Sequence, residues 1–281
     1  MNVLFWNTGV GYYSKDKDNL AKKEIVDQCI VGLIEQTKCD ILVLAEYGFE
    51  TIGLCNKISL IGTDFREHKT IQPSRVKFLC NSNYCIELIR DNRYYAIYNL
   101  RTPLFDLLIA GTHFPSKLHS APNDQGVVAG YLIGDMNDAQ KEVGHNNAII
   151  VGDFNANPYE DFMMEGNLLH ALPWQDIVQQ RKKRKIYGRD KMMYYNPMWS
   201  LWGRENNSFG TYYYDSSGAI NMYWNMYDQI IISADIISYF EQTSLRIITK
   251  ICDRSLSTIK GIPDKENYSD HFPIYFKLKE K

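Results

Sequence analysis

The sequence predicts an α/β protein in which two mixed β-sheets pack together with helices outside. Short apolar, β-branched runs recur from end to end, as buried strands do. Three segments show helical spacing instead. The strands between 75 and 112 follow one another without an intervening helix, which a purely alternating doubly wound pattern would not allow.

In chain order, strands are expected at Val3–Trp6, Ile41–Ala45, Arg75–Cys80, Tyr84–Ile89, Tyr94–Asn99, Leu107–Gly111, Ala148–Val151, Tyr227–Ile232, Arg246–Ile251 and Pro273–Lys277. The first helix runs from Asp18 to Gln36, with Leu20, Ile25, Cys29, Leu33 and Ile34 along one stripe. A second covers Gln125 to Val143. A short third, Tyr159 to Met164, starts after Pro158. Every residue from Arg181 through Lys182, Lys183 and Arg184 to Lys185 is basic, and an aromatic-rich stretch punctuated by Gly and Asn follows. The region at about 181–224 reads as a long structured loop inserted into one domain spanning 1–281.

The chain has 281 residues, 31 Lys+Arg against 33 Asp+Glu, a formal net charge of −2, and 45% hydrophobic residues. These values exclude disordered, collagen-like and strongly basic classes, and the core needs no disulfide or metal staple. The six cysteines form no CxxC pair, which argues against structural zinc. No apolar run approaches the ~18 residues of a membrane span. The start of the chain lacks a basic-then-apolar leader, so a cytoplasmic location is expected.

Polar residues stand at strand ends. Asn7 closes the first run, Glu46 follows Ile41–Ala45, His113 follows Leu107–Thr112, and Asp153 and Asn155 follow Ile149–Gly152. Towards the C-terminus the order reverses: Asp228 precedes Gln229–Ile232, and Asp270-His271 precede Pro273–Phe276. If the last strands run antiparallel to the earlier ones, all these side chains meet on one rim. Glu46, Asp270 and Asn7 could then supply the oxygen ligands of a hard cation such as Mg²⁺. A carboxylate beside two imidazoles, near a cation, is equipped to activate water against a phosphate ester. Singly, each Asp or Asn would read as a turn former; their joint occurrence in this order outweighs that reading. Gly9-Val10-Gly11 suggests a dinucleotide loop only faintly, because Ser14 stands where a third glycine belongs. The sequons at Asn206 and Asn267 read as accidental.

In Leu4-Phe5-Trp6-Asn7, Asp40–Glu46, Gly111-Thr112-His113, Val151-Gly152-Asp153-Phe154-Asn155, Tyr227-Asp228-Gln229-Ile230 and Ser269-Asp270-His271-Phe272-Pro273 the sequence resembles the endonuclease/exonuclease/phosphatase superfamily of metal-dependent phosphoesterases. The resemblance implies a four-layer α/β sandwich. It also implies Glu46 as the main metal ligand with Asn7 and Asp270 nearby, Mg²⁺ as the metal with Mn²⁺ able to substitute, and Asp153 managing the proton of the attacking water, held by Asn155. Asp228 would orient His271 towards a phosphoryl oxygen, and His113 would stabilise the phosphoryl group or assist the leaving oxygen. Two positions depart from the pattern: Ala45 stands where many members carry Gln, and Gly9 where some nucleases carry an acid. Abasic-site endonucleases have Tyr at the place of His113, which disfavours that activity.

The expected function is a Mg²⁺-dependent nuclease acting on DNA or RNA, with Arg75 and the run Arg181, Lys182, Lys183, Arg184 and Lys185 as candidate phosphate contacts. A phosphatase or phospholipase on a small or lipid phosphoester is an alternative. The inositol-phosphatase signature is missing from it, since Asn155 is followed by Ala156-Asn157-Pro158 and Asp228 by Gln229. A silent member binding a partner through 181–214 would have been expected to lose at least one site residue, and none is lost.

Overall fold

The structure is a computed structural model, and it describes residues 1–12, 19–118, 121, 123–202, 208–219 and 221–279. Asp18, Ser14 and the Asn206 sequon lie outside the described residues. The elements in order are β1 (Asn2–Val10), α1 (Leu20–Thr37), β2 (Ile41–Tyr47), α2 (Ile52–Ser59), β3 (Phe65–His68), β4 (Val76–Asn81), β5 (Cys85–Asp91), β6 (Tyr95–Arg101), β7 (Asp106–His113), α3 (Asp124–Val143) and β8 (Ala148–Asp153). Then come α4 (Asp161–Met164), β9 (Ala171–Leu172), α5 (Gln175–Arg181), β10 (Lys183–Ile186), β11 (Arg189–Met192) and β12 (Tyr194–Tyr195). The chain ends with β13 (Tyr212–Tyr214), β14 (Tyr223–Asn225), β15 (Asp228–Ser233), β16 (Arg246–Ile247), β17 (Lys250–Ile251), β18 (Arg254–Ser255) and β19 (Ile274–Lys277).

Two mixed sheets face each other, ordered β16-β19-β1-β2-β4-β3 and β5-β6-β7-β8-β15-β12-β9. Strand alternation builds the core. In the second sheet Ile109, Ile149, Val151, Ile230 and Ile232 join the cluster between the sheets, while Leu108, Ala110, Ile150 and Ile231 join the one beneath α3. Helix α1 buries Val26, Cys29, Ile30, Leu33 and Ile34 on the other side, completing four layers. Gly111 lets the sheets approach, since a Cβ there would lie 2.8 Å from Val43 Cγ1.

Several expectations change. Leu20 opens α1 but is exposed, because it precedes the turns that reach the sheet. Arg246–Ile251 is two short bridging strands, not one. The region at about 181–224 is not one long loop: β10 and β11 form a hairpin, and β12 pairs with β15 inside the second sheet.

Candidate active site

Register gathers the site. Strands β7 and β8 are parallel with His113 opposite Asp153, and β15 is antiparallel to β8 with Asp228 opposite Asp153. Directly opposed residues share a face. All three continue the inward alternation of Ile109, Val151 and Ile230, so their side chains enter the space between the sheets where the apolar residues end. In the first sheet Asn7 sits opposite Ala45 on the parallel pair β1–β2. The antiparallel strand β19, paired Phe5 to Ile274, brings Asp270 and His271 to the same rim.

Glu46 needs a different device. Val43 faces inward against Gly111, so regular alternation would turn Ala45 inward and Glu46 away from the cleft. Glu46 instead adopts a left-handed backbone, φ 50°, and its Oε1 lies 3.4 Å from His113 Nε2. Asn155 is left-handed too, at φ 48°. Such non-glycine residues cost on the order of 1 kcal/mol or more and persist where the surroundings impose them.

Asp153 is at the centre. Asn7 Nδ2 donates to its Oδ2 at 2.9 Å, and the Asn155 backbone N donates to its Oδ1 at 2.7 Å. Asn155 therefore holds Asp153 through the main chain, while its side-chain amide donates to the Phe114 carbonyl at 3.0 Å. His113 Nε2 and His271 Nε2 stand 3.7 and 3.9 Å from Asp153 Oδ2. His271 Nδ1 is 2.8 Å from Asp228 Oδ2, which assigns its proton to that nitrogen.

Charge separates the two imidazoles. Burial pushes His113 down to about 4, assisted by the charges of Arg75 and His271 and opposed by Asp153, so it is neutral. Burial acts downward on His271 as well. Asp228, Asp153 and Asp270 outweigh it and raise that imidazole to about 10, so His271 carries its proton at neutral pH. Burial, reinforced by Asp228, raises the Asp153 carboxyl above its ordinary value against the pull of both histidines.

Two sets of groups could hold a cation. Ligand atoms of Asp153, Asp228 and His271 lie within 4.8 Å of one another, but a protonated His271 has no lone pair to offer. Glu46 and Asp270 fit a hard cation better. A Cβ on Gly9 would sit 3.7 Å from Asp270 Oδ1 and 4.0 Å from Glu46 Oε2, so the glycine leaves open a cradle flanked by two carboxylates. Asn7 is beside it, its Oδ1 accepting from the Gly9 N–H at 3.3 Å.

The site opens into a cleft of about 560 Å³ lined also by Tyr12, Arg75, Tyr94, Lys117, Tyr212 and Tyr227. Arg75 thus lines the cleft. Arg181, Lys182, Lys183, Arg184 and Lys185 do not line it. Strand β12 enters at Tyr194 opposite Ser233, the end of β15 remote from Asp228, so the hairpin just before it lies at the other pole.

Sequence reasoning did not single out two supports. Ser269 Oγ donates to the Asn7 carbonyl at 2.6 Å and accepts from the His271 N–H at 3.0 Å, tying two site strands together. The Tyr212 ring lies 4.7 Å from the His271 ring, centroid to centroid. The Ser in Ser-Asp-His was a usable signal; nothing local marks Tyr212.

Residues 106–280 match the model of the endonuclease/exonuclease/phosphatase family, more than half of the chain. No curated protein sequence matches. Among solved structures, D. rerio TDP2 complexed with a single-strand DNA product is similar at TM-score 0.57 and 13% identity, covering 100% of this chain and 99% of that one. An AP endonuclease from Archaeoglobus fulgidus (TM-score 0.53, 10% identity) and the 3′ phosphatase NExo from Neisseria bound to a product DNA hairpin (TM-score 0.53, 12% identity) each cover 100% of both chains. At these identities the likeness is one of fold.

Proposed function

The chain belongs to the endonuclease/exonuclease/phosphatase family, and on that premise we propose that it is a divalent-metal-dependent phosphodiesterase, a nuclease hydrolysing phosphodiester bonds of DNA or RNA. The observation that carries this is the convergence on Asp153 of His113, His271, Asn7 and the Asn155 N–H, beside the carboxylates of Glu46 and Asp270.

Asp153 takes the proton of the attacking water. Its raised carboxyl is a stronger base than an exposed one, and Asn7 and Asn155 fix its two oxygens. As the water oxygen bonds to phosphorus, negative charge grows on the non-bridging oxygens and the bond to the leaving oxygen breaks. His271 donates from Nε2 to a non-bridging oxygen, its charge sustained by Asp228. Neutral His113 offers an N–H to the same phosphoryl group without repelling His271. A Mg²⁺ or Mn²⁺ ion held by Glu46 and Asp270, with Asn7 beside it, would supply further neutralisation of phosphoryl charge.

A panel of plasmid, oligonucleotide, RNA and phosphoinositide substrates with Mg²⁺, Mn²⁺ or EDTA tests the proposal. Nucleic acid should be cleaved with metal and spared with EDTA. Asp153→Ala and His271→Ala should each lose about 10²–10⁴-fold in turnover with the circular-dichroism spectrum retained. Undiminished cleavage by either variant, or phosphate release from phosphoinositides alone, refutes it.

A further inference from the structure

We infer that Arg75 forms a second phosphate-binding position beside the catalytic groups, so that the cleft takes a nucleic-acid strand, with a phosphate neighbouring the one cleaved, over a substrate with a single phosphate; this rests on the phosphodiesterase reading above. Arg75 immediately precedes β4 and is the cross-strand neighbour of Glu46, whose N–H donates to the Arg75 carbonyl at 3.4 Å. Its own N–H donates to the Arg93 carbonyl at 2.9 Å. The main chain alone therefore fixes where the side chain starts.

The guanidinium lies 5.0 Å from the Tyr94 ring centroid and lines the cleft together with His113. Arg93 stands 5.8 Å from the same ring, so positive charge is concentrated there. Arg75 Nε is buried and, among the described residues, has no hydrogen-bond partner. An unpaired interior N–H on a charged group is costly, and at the wall of the cleft a phosphate oxygen is a partner that would complete it. Lys117 lines the cleft too, but Glu160 already holds its ammonium at 2.5 Å. A planar guanidinium held against an aromatic ring presents a fixed fork, the geometry that matches phosphate.

His113, Asp153 and His271 surround one phosphoryl group. A substrate with only that phosphate leaves the Arg75 fork unmatched, whereas a strand brings another phosphate within the same cleft.

The test compares TpT, which has one phosphate, with TpTpT, which has two, on the wild type, Arg75→Ala and Arg75→Lys in Mg²⁺. For Arg75→Ala, kcat/KM on TpTpT should fall about tenfold to hundredfold, mainly through KM, and on TpT by no more than about twofold. Arg75→Lys should recover part of the loss. Equal losses on both substrates, or none on either, overturn the inference and leave the phosphodiesterase reading standing. If the wild type cleaves neither, the substrate panel above decides that reading, and binding of labelled TpTpT in EDTA decides the subsite alone. There, an affinity about tenfold weaker in Arg75→Ala supports it, and an unchanged affinity overturns it.

Discussion

Asp228 and His271 form a pair whose value depends on its being complete. Asp228 is fully buried and faces the imidazole at 2.8 Å. Replacing it with Asn keeps the shape and removes one of the charges that outweigh burial, so His271 should titrate below about 10. An NMR titration of the imidazole in metal-free protein reads this directly, and turnover should drop about 10²–10⁴-fold with it. The same pair sets a stability trend. The His271 value is raised in the folded state from 6.5 to about 10, so its contribution is whole below pH 6.5 and is lost as pH climbs through about 10. Denaturation midpoints at pH 6 and pH 10 should therefore differ more for the wild type than for His271→Ala. In catalysis, the alkaline limb should follow His271, and the acid limb should reflect Asp153, above the usual carboxylate range.

At the scale of elements, the end of β1 deserves a test because its backbone shapes the proposed metal cradle. Pairing with β2 is regular to Asn7 and shifts before Val10, and Gly9 lies in that irregularity at φ 57°. Gly9→Asp would add a carboxylate facing Glu46 and Asp270. It should cost about 1 kcal/mol or more for the left-handed backbone, lowering Tm, yet raise Mg²⁺ affinity as read from the metal-induced Tm shift. A lower Tm with no gain in that shift would place the cation elsewhere. The contrast between β1 and β10 also explains what the sequence made legible. Strands β1, β2, β7 and β8 are buried on both faces, so they read as apolar runs ending in Asn7, Glu46, His113 and Asp153. Lys183–Ile186 buries almost nothing, so no pattern announced a strand there. Its one signal was Tyr187-Gly188, both at positive φ, the turn a two-residue hairpin needs. The inward turn of Glu46 was likewise invisible: alternation points the other way, and only the folded backbone reverses it.

Across the whole molecule, charge is divided between two ends of one sheet. Asp228 marks the catalytic end of β15 and Ser233 the other, a separation of about 17 Å along the strand. The hairpin β10–β11 precedes the residue paired with Ser233, and the net charge of −2 hides this segregation completely. Within the hairpin Arg184 pairs directly with Lys191, two like charges face to face, while Lys183 is neutralised by Asp190 at 2.7 Å. Exposed cations at that distance act on the cleft only through solvent, and ~0.15 M salt screens them within about 8 Å. Reversing Lys185 and Arg189 to Glu should therefore leave kcat/KM on TpTpT within about twofold at that ionic strength, whereas Arg75→Ala, a single charge inside the cleft, should not. A hairpin variant losing activity on so short a substrate as severely as Arg75→Ala would mean that the two poles communicate through the sheet, and that electrostatic distance does not decide which cations matter.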